Sequence, residues 1–192
     1  MTNDTISTRV HGRGGQGVVT AAELIALAAF YDGKESQAFP FFGVERSGAP
    51  IVAFARISNH KIKTRQQIYH PDFLIIQDDS LISDDGILSG ASSQTKLLIN
   101  SSKTKEKIFS ELKNNKNIKL ANIYTTPATE IALEFIGKNL VNTVILGALA
   151  KQGNLFSLAA LKQAVTHKLG SKGTLILQKN LAAIDKIYAT SK

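Results

Sequence analysis

One glycine-rich run near the start of the chain restricts its fold more than any other feature. The run is His11-Gly12-Arg13-Gly14-Gly15-Gln16-Gly17, in which Gly12, Gly14 and Gly17 form the pattern G-x-G-x-x-G. A short β-prone piece, Thr8 to Val10, precedes the run, and apolar residues recur after it at helical spacing: Val18, Ala22, Ile25, Ala26 and Ala29. The sequence therefore predicts a strand, a glycine loop and a helix, which is a Rossmann-like start.

This loop can hold an anion, because bare main-chain amides and the positive end of a helix meet at such a turn. A dinucleotide site also needs an acidic residue about 20 residues further on, at the end of the next strand. Asp32 falls in the turn after the helix instead, and Val18 and Val19 stand where a P-loop places Lys and Ser or Thr. The sequence predicts neither an independent NAD site nor an ATP site. The glycines either contact an anion or only permit a tight turn.

Four further apolar runs predict strands: Ile51 to Ile57, Asp72 to Gln77, Lys96 to Asn100, and Ile118 to Tyr124. Such runs, ending in polar loops, are typical of a sheet covered on both faces. The intervening segment Gln37 to Pro50 is rich in glycine and aromatic residues, and we expect the chain to turn there repeatedly. For the acidic pairs Asp78-Asp79 and Asp84-Asp85, turn and helix-capping roles are favoured over a magnesium or paired-carboxylate site.

The last third of the chain is predicted to be helical. Its expected helices are one opened by Thr126-Pro127 and running through Phe135, one from Val141 to Lys151, one capped by Ser157 and running to Leu169, and a terminal region from Thr174 to near Tyr188. We therefore predict a single α/β domain over residues 1–192, with a mostly parallel sheet flanked by helices and a helical C-terminal third.

Composition excludes several functions. The chain has no cysteine, so it supplies no disulfide and none of the thiolates that usually hold iron–sulfur clusters. Its four histidines lack metal-site spacing, and no nucleophile motif stands beside one of them. The net charge of +8 is concentrated in a lysine-rich stretch from Lys103 to Lys119, which favours a solvated helix and loop over a nucleic-acid surface. Neither an apolar span nor a signal peptide is visible, so we expect a soluble, cytoplasmic protein.

Arginines mark two candidate contact points for a ligand. Arg13 and Gln16 lie inside the glycine loop, and Arg46 lies in the aromatic segment beside Glu45. The planar guanidinium suits phosphate or carboxylate groups, although Arg46 can equally form an ion pair at a surface or interface. The candidate binding residues are therefore Gly12, Arg13, Gly14, Gly15, Gln16, Gly17 and Arg46, and no residue of this chain is assigned a catalytic role.

Two motifs together resemble a known family. They are the loop His11 to Gly17 with Val18-Val19-Thr20-Ala21-Ala22, and the later segment Ala38-Phe39-Pro40-Phe41-Phe42-Gly43-Val44-Glu45-Arg46-Ser47-Gly48-Ala49-Pro50. In length and order, these two motifs resemble those of the gamma subunit of pyruvate:ferredoxin (flavodoxin) oxidoreductase, which belongs to the 2-oxoacid:acceptor oxidoreductase gamma family. Ser47 departs from the basic residue that is often expected there.

The resemblance implies a heterotetrameric complex that converts pyruvate to acetyl-CoA. Thiamine diphosphate, Mg, [4Fe-4S] clusters and coenzyme A are used by the complex, with the thiamine and clusters on alpha, beta and ferredoxin-like delta subunits. Electrons pass to ferredoxin or flavodoxin, and this chain is expected to be inactive alone.

Alternatives to this interpretation remain. A related branched-chain 2-oxoacid complex is one of them, and a free-standing dinucleotide- or RNA-binding module is another. We further expect the loop Gly12 to Gly17 and the segment Phe39 to Pro50 to lie close together, facing partner chains near the path of coenzyme A.

Overall fold

A six-stranded sheet forms the centre of the protein. The computed structural model describes residues 5–41, 48–84, 86–112 and 117–191. The strands lie in the order β2-β3-β1-β4-β5-β6; β1, β4, β5 and β6 pair in parallel, whereas β3 runs antiparallel to both of its neighbours. Their bounds are β1 (Thr5–Arg13), β2 (Glu35–Phe41), β3 (Pro50–Ser58), β4 (Phe73–Ile76), β5 (Lys96–Asn100) and β6 (Ile123–Thr126).

Helices cover the sheet unequally. One face packs against a large core built with most of the helices, whereas the short α2 belongs to a smaller core on the other face. Successive side chains of a strand point to opposite faces of the sheet, so one strand contributes to both cores. Ile75 of β4 belongs to the first core, and Leu74 and Ile76 belong to the second. The helices are α1 (Val18–Tyr31), α2 (Lys105–Glu111), α3 (Ala128–Ile136), α4 (Val141–Gly153), α5 (Leu158–Leu169) and α6 (Thr174–Thr190), with short 3-10 turns at Asp79–Ser83, Leu120–Asn122 and Gly170–Lys172.

The predicted fold class is confirmed, as are several local signals. The strand, glycine loop and helix occur in the predicted order, and Ser157 caps α5 by accepting a hydrogen bond from the N–H of Ala160 at 3.1 Å. The segment at Thr174 begins the terminal helix, as predicted. Within the four described ranges, no helix has both the length and the apolar character that a membrane span requires.

Three local predictions were wrong. The segment predicted to turn from Gln37 contains an edge strand, β2, in which Phe39 lies opposite Phe54 of β3. Edge position explains how β2 tolerates Pro40, which has no N–H to donate to a ladder. The strand predicted from Ile118 begins only at Ile123, after a 3-10 turn.

Thr126 also differs from its predicted role as a helix cap. It ends β6, where its carbonyl accepts a hydrogen bond from the N–H of Ser101, and Pro127 occupies the cap position of α3. The Oδ1 atom of Asn100 accepts instead from the N–H of Thr129 at 3.0 Å. The first turn of α3 is thus satisfied from β5 rather than by its own preceding residue.

Candidate functional site

A polar cleft opens where the sheet reverses its strand order. β1 has β3 on one side and β4 on the other, so the loops after β1 and β4 diverge at their carboxyl ends. Ligands of open α/β sheets bind in the crevice at such a switch point. The cleft measures about 300 Å³, and its lining includes Gln16, Gln77, Asp78, Asp79, Asn100 and Ser101.

The glycine loop forms one wall and lies against the start of β3. The N–H of Gly14 donates to the carbonyl of Ala49 at 2.9 Å, and the N–H of Gly48 donates to the carbonyl of Gly14 at 3.4 Å. The structure therefore brings the loop together with the described end of the aromatic segment. Arg46, the other predicted binding residue, lies outside the described residues.

The glycines in this wall serve different purposes. Gly15 and Gly17 have φ angles of +94° and +71°, a region that residues with a Cβ rarely adopt, and Gly17 is also the cap of α1. Gly12 instead needs space, because a Cβ there would lie 2.6 Å from Cγ2 of Val18 and 3.1 Å from Oε1 of Gln77. The motif thus has structural reasons for its glycines whether or not an anion binds.

Arg13 is held by groups of the protein itself. Its Nε donates to Oδ2 of Asp78 at 3.0 Å, its Nη2 donates to the hydroxyl of Ser80 at 2.8 Å, and its Nη1 donates to the carbonyl of Gly48 at 3.2 Å. The Arg13 side chain is 37% exposed and that of Asp78 is 23% exposed, so solvent screens this ion pair. An anion at Arg13 therefore has to compete with Asp78.

The carboxylate of Asp78 links the residues after β4 to the glycine loop through hydrogen bonds. Burial pushes its pKa upward, but hydrogen bonds from the hydroxyl and N–H of Ser80, the charge of Arg13 and a bond from Gln16 outweigh burial and lower the pKa. The predicted capping role is confirmed, because Oδ1 of Asp78 accepts from the N–H of Ser80 at the start of a 3-10 turn. Asp84 likewise accepts from the N–H of Gly86.

Gln16 closes the loop on itself. Its Oε1 accepts from the N–H of Arg13 at 2.7 Å, and its Nε2 donates to Oδ2 of Asp78 at 3.3 Å. The predicted binding residues Arg13 and Gln16 therefore lie together on one wall of the cleft, and both contact Asp78.

The opposite wall comes from Asn100, which ends β5, and from the residues that follow it, none of which the sequence singled out. The hydroxyl of Ser101 donates to Oδ2 of Asp79 at 2.7 Å, and Nζ of Lys103 lies 3.4 Å from the same oxygen. Asn100 donates from Nδ2 to the main-chain carbonyl of Gln77 and to the hydroxyl of Thr129, both at 2.9 Å. The only advance signal for these residues was their position at, or directly after, the end of an apolar strand.

His11, the first residue of the motif, has no access to the solvent that a general base would need. It is 6% exposed, and burial together with the charge of Arg9 lowers its pKa to about 3. The imidazole is consequently neutral at physiological pH.

The fold and the cleft define an α/β domain with a glycine loop at the switch point of a Rossmann-like sheet. The family "Pyruvate ferredoxin/flavodoxin oxidoreductase" matches residues 7–190, nearly the whole chain. This protein therefore belongs to the pyruvate ferredoxin/flavodoxin oxidoreductase family.

Individual relatives agree with the family match. The chain is 43% identical over 183 residues to the pyruvate/ketoisovalerate oxidoreductases common subunit gamma of Pyrococcus furiosus, covering 95% of each chain. It is 46% identical over 171 residues to the pyruvate synthase subunit PorC of Methanothermobacter marburgensis, covering 87% of this chain and 90% of that one. The crystal structure of pyruvate oxidoreductase subunit PORC from Thermotoga maritima matches with a TM-score of 0.82 and 31% identity, covering 99% of this chain and 98% of that one.

Proposed function

We propose that this chain is the gamma subunit of a multichain pyruvate:ferredoxin oxidoreductase, which it supports in oxidising pyruvate to acetyl-CoA. The match to relatives named as gamma or PorC subunits over nearly their whole length carries this proposal. A branched-chain 2-oxoacid complex is the second candidate, since the Pyrococcus furiosus relative is named as common to pyruvate and ketoisovalerate oxidoreductases.

In this proposal the redox chemistry belongs to partner chains. Thiamine diphosphate, Mg and [4Fe-4S] clusters are held by alpha, beta and delta subunits, and ferredoxin or flavodoxin accepts the electrons in the cytoplasm. The absence of cysteine from the sequence supports this division, because clusters are usually ligated by thiolates. The chain contributes one gamma-type domain, residues 1–192.

The glycine loop is proposed to lie on the coenzyme A path, with Gly12, Arg13, Gly14, Gly15, Gln16, Gly17 and Arg46 as contact residues. Its place at the switch point and at the start of α1 supports this assignment, since both features favour anionic ligands. Because Arg13 is already paired with Asp78, phosphate binding would exchange that internal partner for the ligand.

Native purification tests the proposed assembly. A tagged copy of the full chain, isolated anaerobically from its own cells, should bring with it chains that carry thiamine diphosphate and iron–sulfur clusters. The isolated chain itself should be colourless and should not oxidise 2-oxoacids. Recovery of the tagged chain without such partners would contradict the proposal, and bound RNA in its place would favour the free-standing binding module.

An arginine variant tests the coenzyme A role separately. In the reconstituted complex, Arg13→Ala should raise the coenzyme A concentration needed for half-maximal rate by at most about one to two decades, because one charge-assisted contact is worth roughly 1.5–3 kcal/mol and here it replaces the existing pair with Asp78. Cluster content should be unchanged. The matched control is Arg65→Ala, which removes an exposed arginine outside the cleft lining. A complex that assembles normally and keeps its coenzyme A dependence would show that the loop is a structural turn.

A further inference from the structure

One side chain that lines the cleft, that of Gln77, differs from its neighbours in its hydrogen bonding. Gln77 follows the last residue of β4 and lines the cleft, yet it is only 1% exposed. Among the residues that the structure describes, neither Nε2 nor Oε1 of Gln77 has a hydrogen-bonding partner. A buried amide without partners costs free energy, and a group that enters the cleft and bonds to this amide would recover that cost.

Neighbouring polar groups are occupied, which isolates this amide further. Asn100 uses both ends of its side chain, and its Nδ2 bonds the main-chain carbonyl of Gln77 rather than its side chain. Gln16 likewise uses both ends of its side chain, on Arg13 and Asp78. The surrounding network thus holds the Gln77 backbone in place and leaves its amide unused.

The charges in the cleft restrict what can approach Gln77. Three carboxylates line it, those of Asp78, Asp79 and Glu130. Arg13 balances the first and Lys103 lies 3.4 Å from the second, so the cleft offers no surplus of positive charge from these pairs. Phosphate groups would be repelled by the carboxylates, whereas a neutral hydrogen-bonding group would not.

We propose that this cleft is a binding subsite for a neutral group that presents an N–H donor beside an oxygen or nitrogen acceptor, and that Gln77 recognises it. A carboxamide both donates and accepts, so it can pair with an amide or with the edge of an adenine ring. The volume of about 300 Å³ suits one such fragment rather than a whole cofactor.

Room for this contact depends on Gly12. A Cβ at Gly12 would approach Oε1 of Gln16 to 2.9 Å and Oε1 of Gln77 to 3.1 Å, so the two glutamines meet beside this glycine. The Gln77 amide is almost fully buried, and we expect the Gln16 side chain, which lies beside it, to move when a ligand group binds there. Its bond to Asp78, at 3.3 Å, is long for a hydrogen bond and is easily exchanged.

The inference rests on the proposed function only for the choice of probes. Coenzyme A has an N–H donor beside an acceptor in two places, the adenine ring and the amides of the pantetheine arm. Adenosine and pantetheine each present one of these sources without phosphate. They can be tested on the isolated full chain, so this test does not depend on partner subunits.

Side-chain amide resonances give a direct readout. The full chain is labelled with ¹⁵N, and the Gln77 NH₂ signals are assigned by their loss in Gln77→Met. Titration with adenosine or pantetheine to millimolar concentration should shift these signals saturably. A shift with one probe identifies either the adenine ring or the pantetheine amides as the group that Gln77 recognises. A shift with both probes supports recognition of the donor–acceptor pair that the two groups share. No saturable shift with either probe, or displacement of the bound probe by inorganic pyrophosphate, would overturn the proposal.

A variant pair separates recognition from stability. Gln77→Met should weaken binding of the active probe roughly tenfold, as expected for the loss of one net hydrogen bond, and should leave the melting temperature equal to or above that of the wild type. The control Gln163→Met, on the exposed face of α5, should bind as the wild type does. Unchanged binding by Gln77→Met, or a clearly lower melting temperature, would show that Gln77 is structural. Failure of the proposed function would appear instead in the purification of partner chains.

Discussion

Two glycines of the loop should respond differently to the same substitution. Gly15 and Gly17 both have positive φ, so alanine at either position incurs about 1–2 kcal/mol of backbone strain. Reduced entropy of the unfolded chain offsets about 0.4–1 kcal/mol of this strain. At Gly15 none of the described residues lies within 4 Å of the added Cβ, and the net loss of unfolding free energy should therefore be about 1 kcal/mol.

Gly17→Ala adds a steric cost to the same strain. Its Cβ would lie 2.5 Å from Nδ2 and 3.2 Å from Cβ of Asn142 at the start of α4. Overpacking of this kind typically costs about 1–3 kcal/mol, so the total loss should reach roughly 2–4 kcal/mol. Urea unfolding of the full chain, followed by circular dichroism, measures both values.

A double-mutant cycle identifies the source of the difference. In the Asn142→Ala background the cost of Gly17→Ala should fall towards the cost of Gly15→Ala, because the Nδ2 atom at 2.5 Å is gone and only the 3.2 Å approach to Cβ remains. If Gly17→Ala costs no more than Gly15→Ala, or if the Asn142→Ala background leaves its cost unchanged, Asn142 is not the source of the difference.

Two other properties of the chain can be predicted. Burial and the charge of Arg9 lower the pKa of His11 to about 3. Below pH 6.5 the unfolded state therefore binds a proton at His11 that the folded state does not bind, and the free energy of unfolding should fall as the pH drops from 6.5 towards 3. Between pH 7 and pH 5 the loss should be about 2 kcal/mol, and urea unfolding of His11→Leu should lack that part of the pH dependence. Calorimetry should detect no micromolar binding of NAD or ATP to the isolated chain, because the loop lacks the ribose-binding acid and has Val18 and Val19 in place of the P-loop Lys and Ser or Thr. Micromolar affinity for either nucleotide would show that this interpretation of the loop is wrong.

Local sequence signals predicted the features that neighbouring residues determine. The glycine loop before α1 and the Ser157 cap of α5 depend on a few adjacent residues, and both occur as predicted. The terminal helix was predicted from the helical character of the last third of the chain, since the periodicity of Thr174 to Leu177 by itself is ambiguous.

Features that depend on distant partners were not predictable. The direction of β3 is set by its pairing with both β1 and β2, and nothing within its own apolar run encodes that direction. Thr126 is a residue type that often caps a helix, but here its carbonyl accepts a hydrogen bond from the N–H of Ser101, directly after β5. Thr126 is therefore the last residue of β6. Asn100, 29 residues from Thr129, supplies the bond at the start of α3 instead. Tertiary pairing outweighed local propensity at each of these positions.

The candidate site was predictable only on the side of the glycine loop. Arg13 and Gln16 were identified from their place in the motif, but their partner Asp78 is 65 and 62 residues away in sequence, respectively. Gln77 carried no signal at all, because a glutamine that ends an apolar strand is expected to reach solvent. Its burial results from the cleft walls, which come from three separate strands.

The uneven charge of the site yields a final prediction about which part of an anionic cosubstrate each wall contacts. The chain has a net charge of +8, yet the cleft around Gln77 is lined by Asp78, Asp79 and Glu130. Phosphates should therefore stay near the loop and the start of α1, where main-chain amides and the helix dipole favour anions. Arg13→Ala should then weaken binding of inorganic pyrophosphate without affecting the neutral probe, and Gln77→Met should do the reverse. Equal loss of both ligands in either variant, measured by titration of the isolated chain, would mean that the two walls form one site and that this division is wrong.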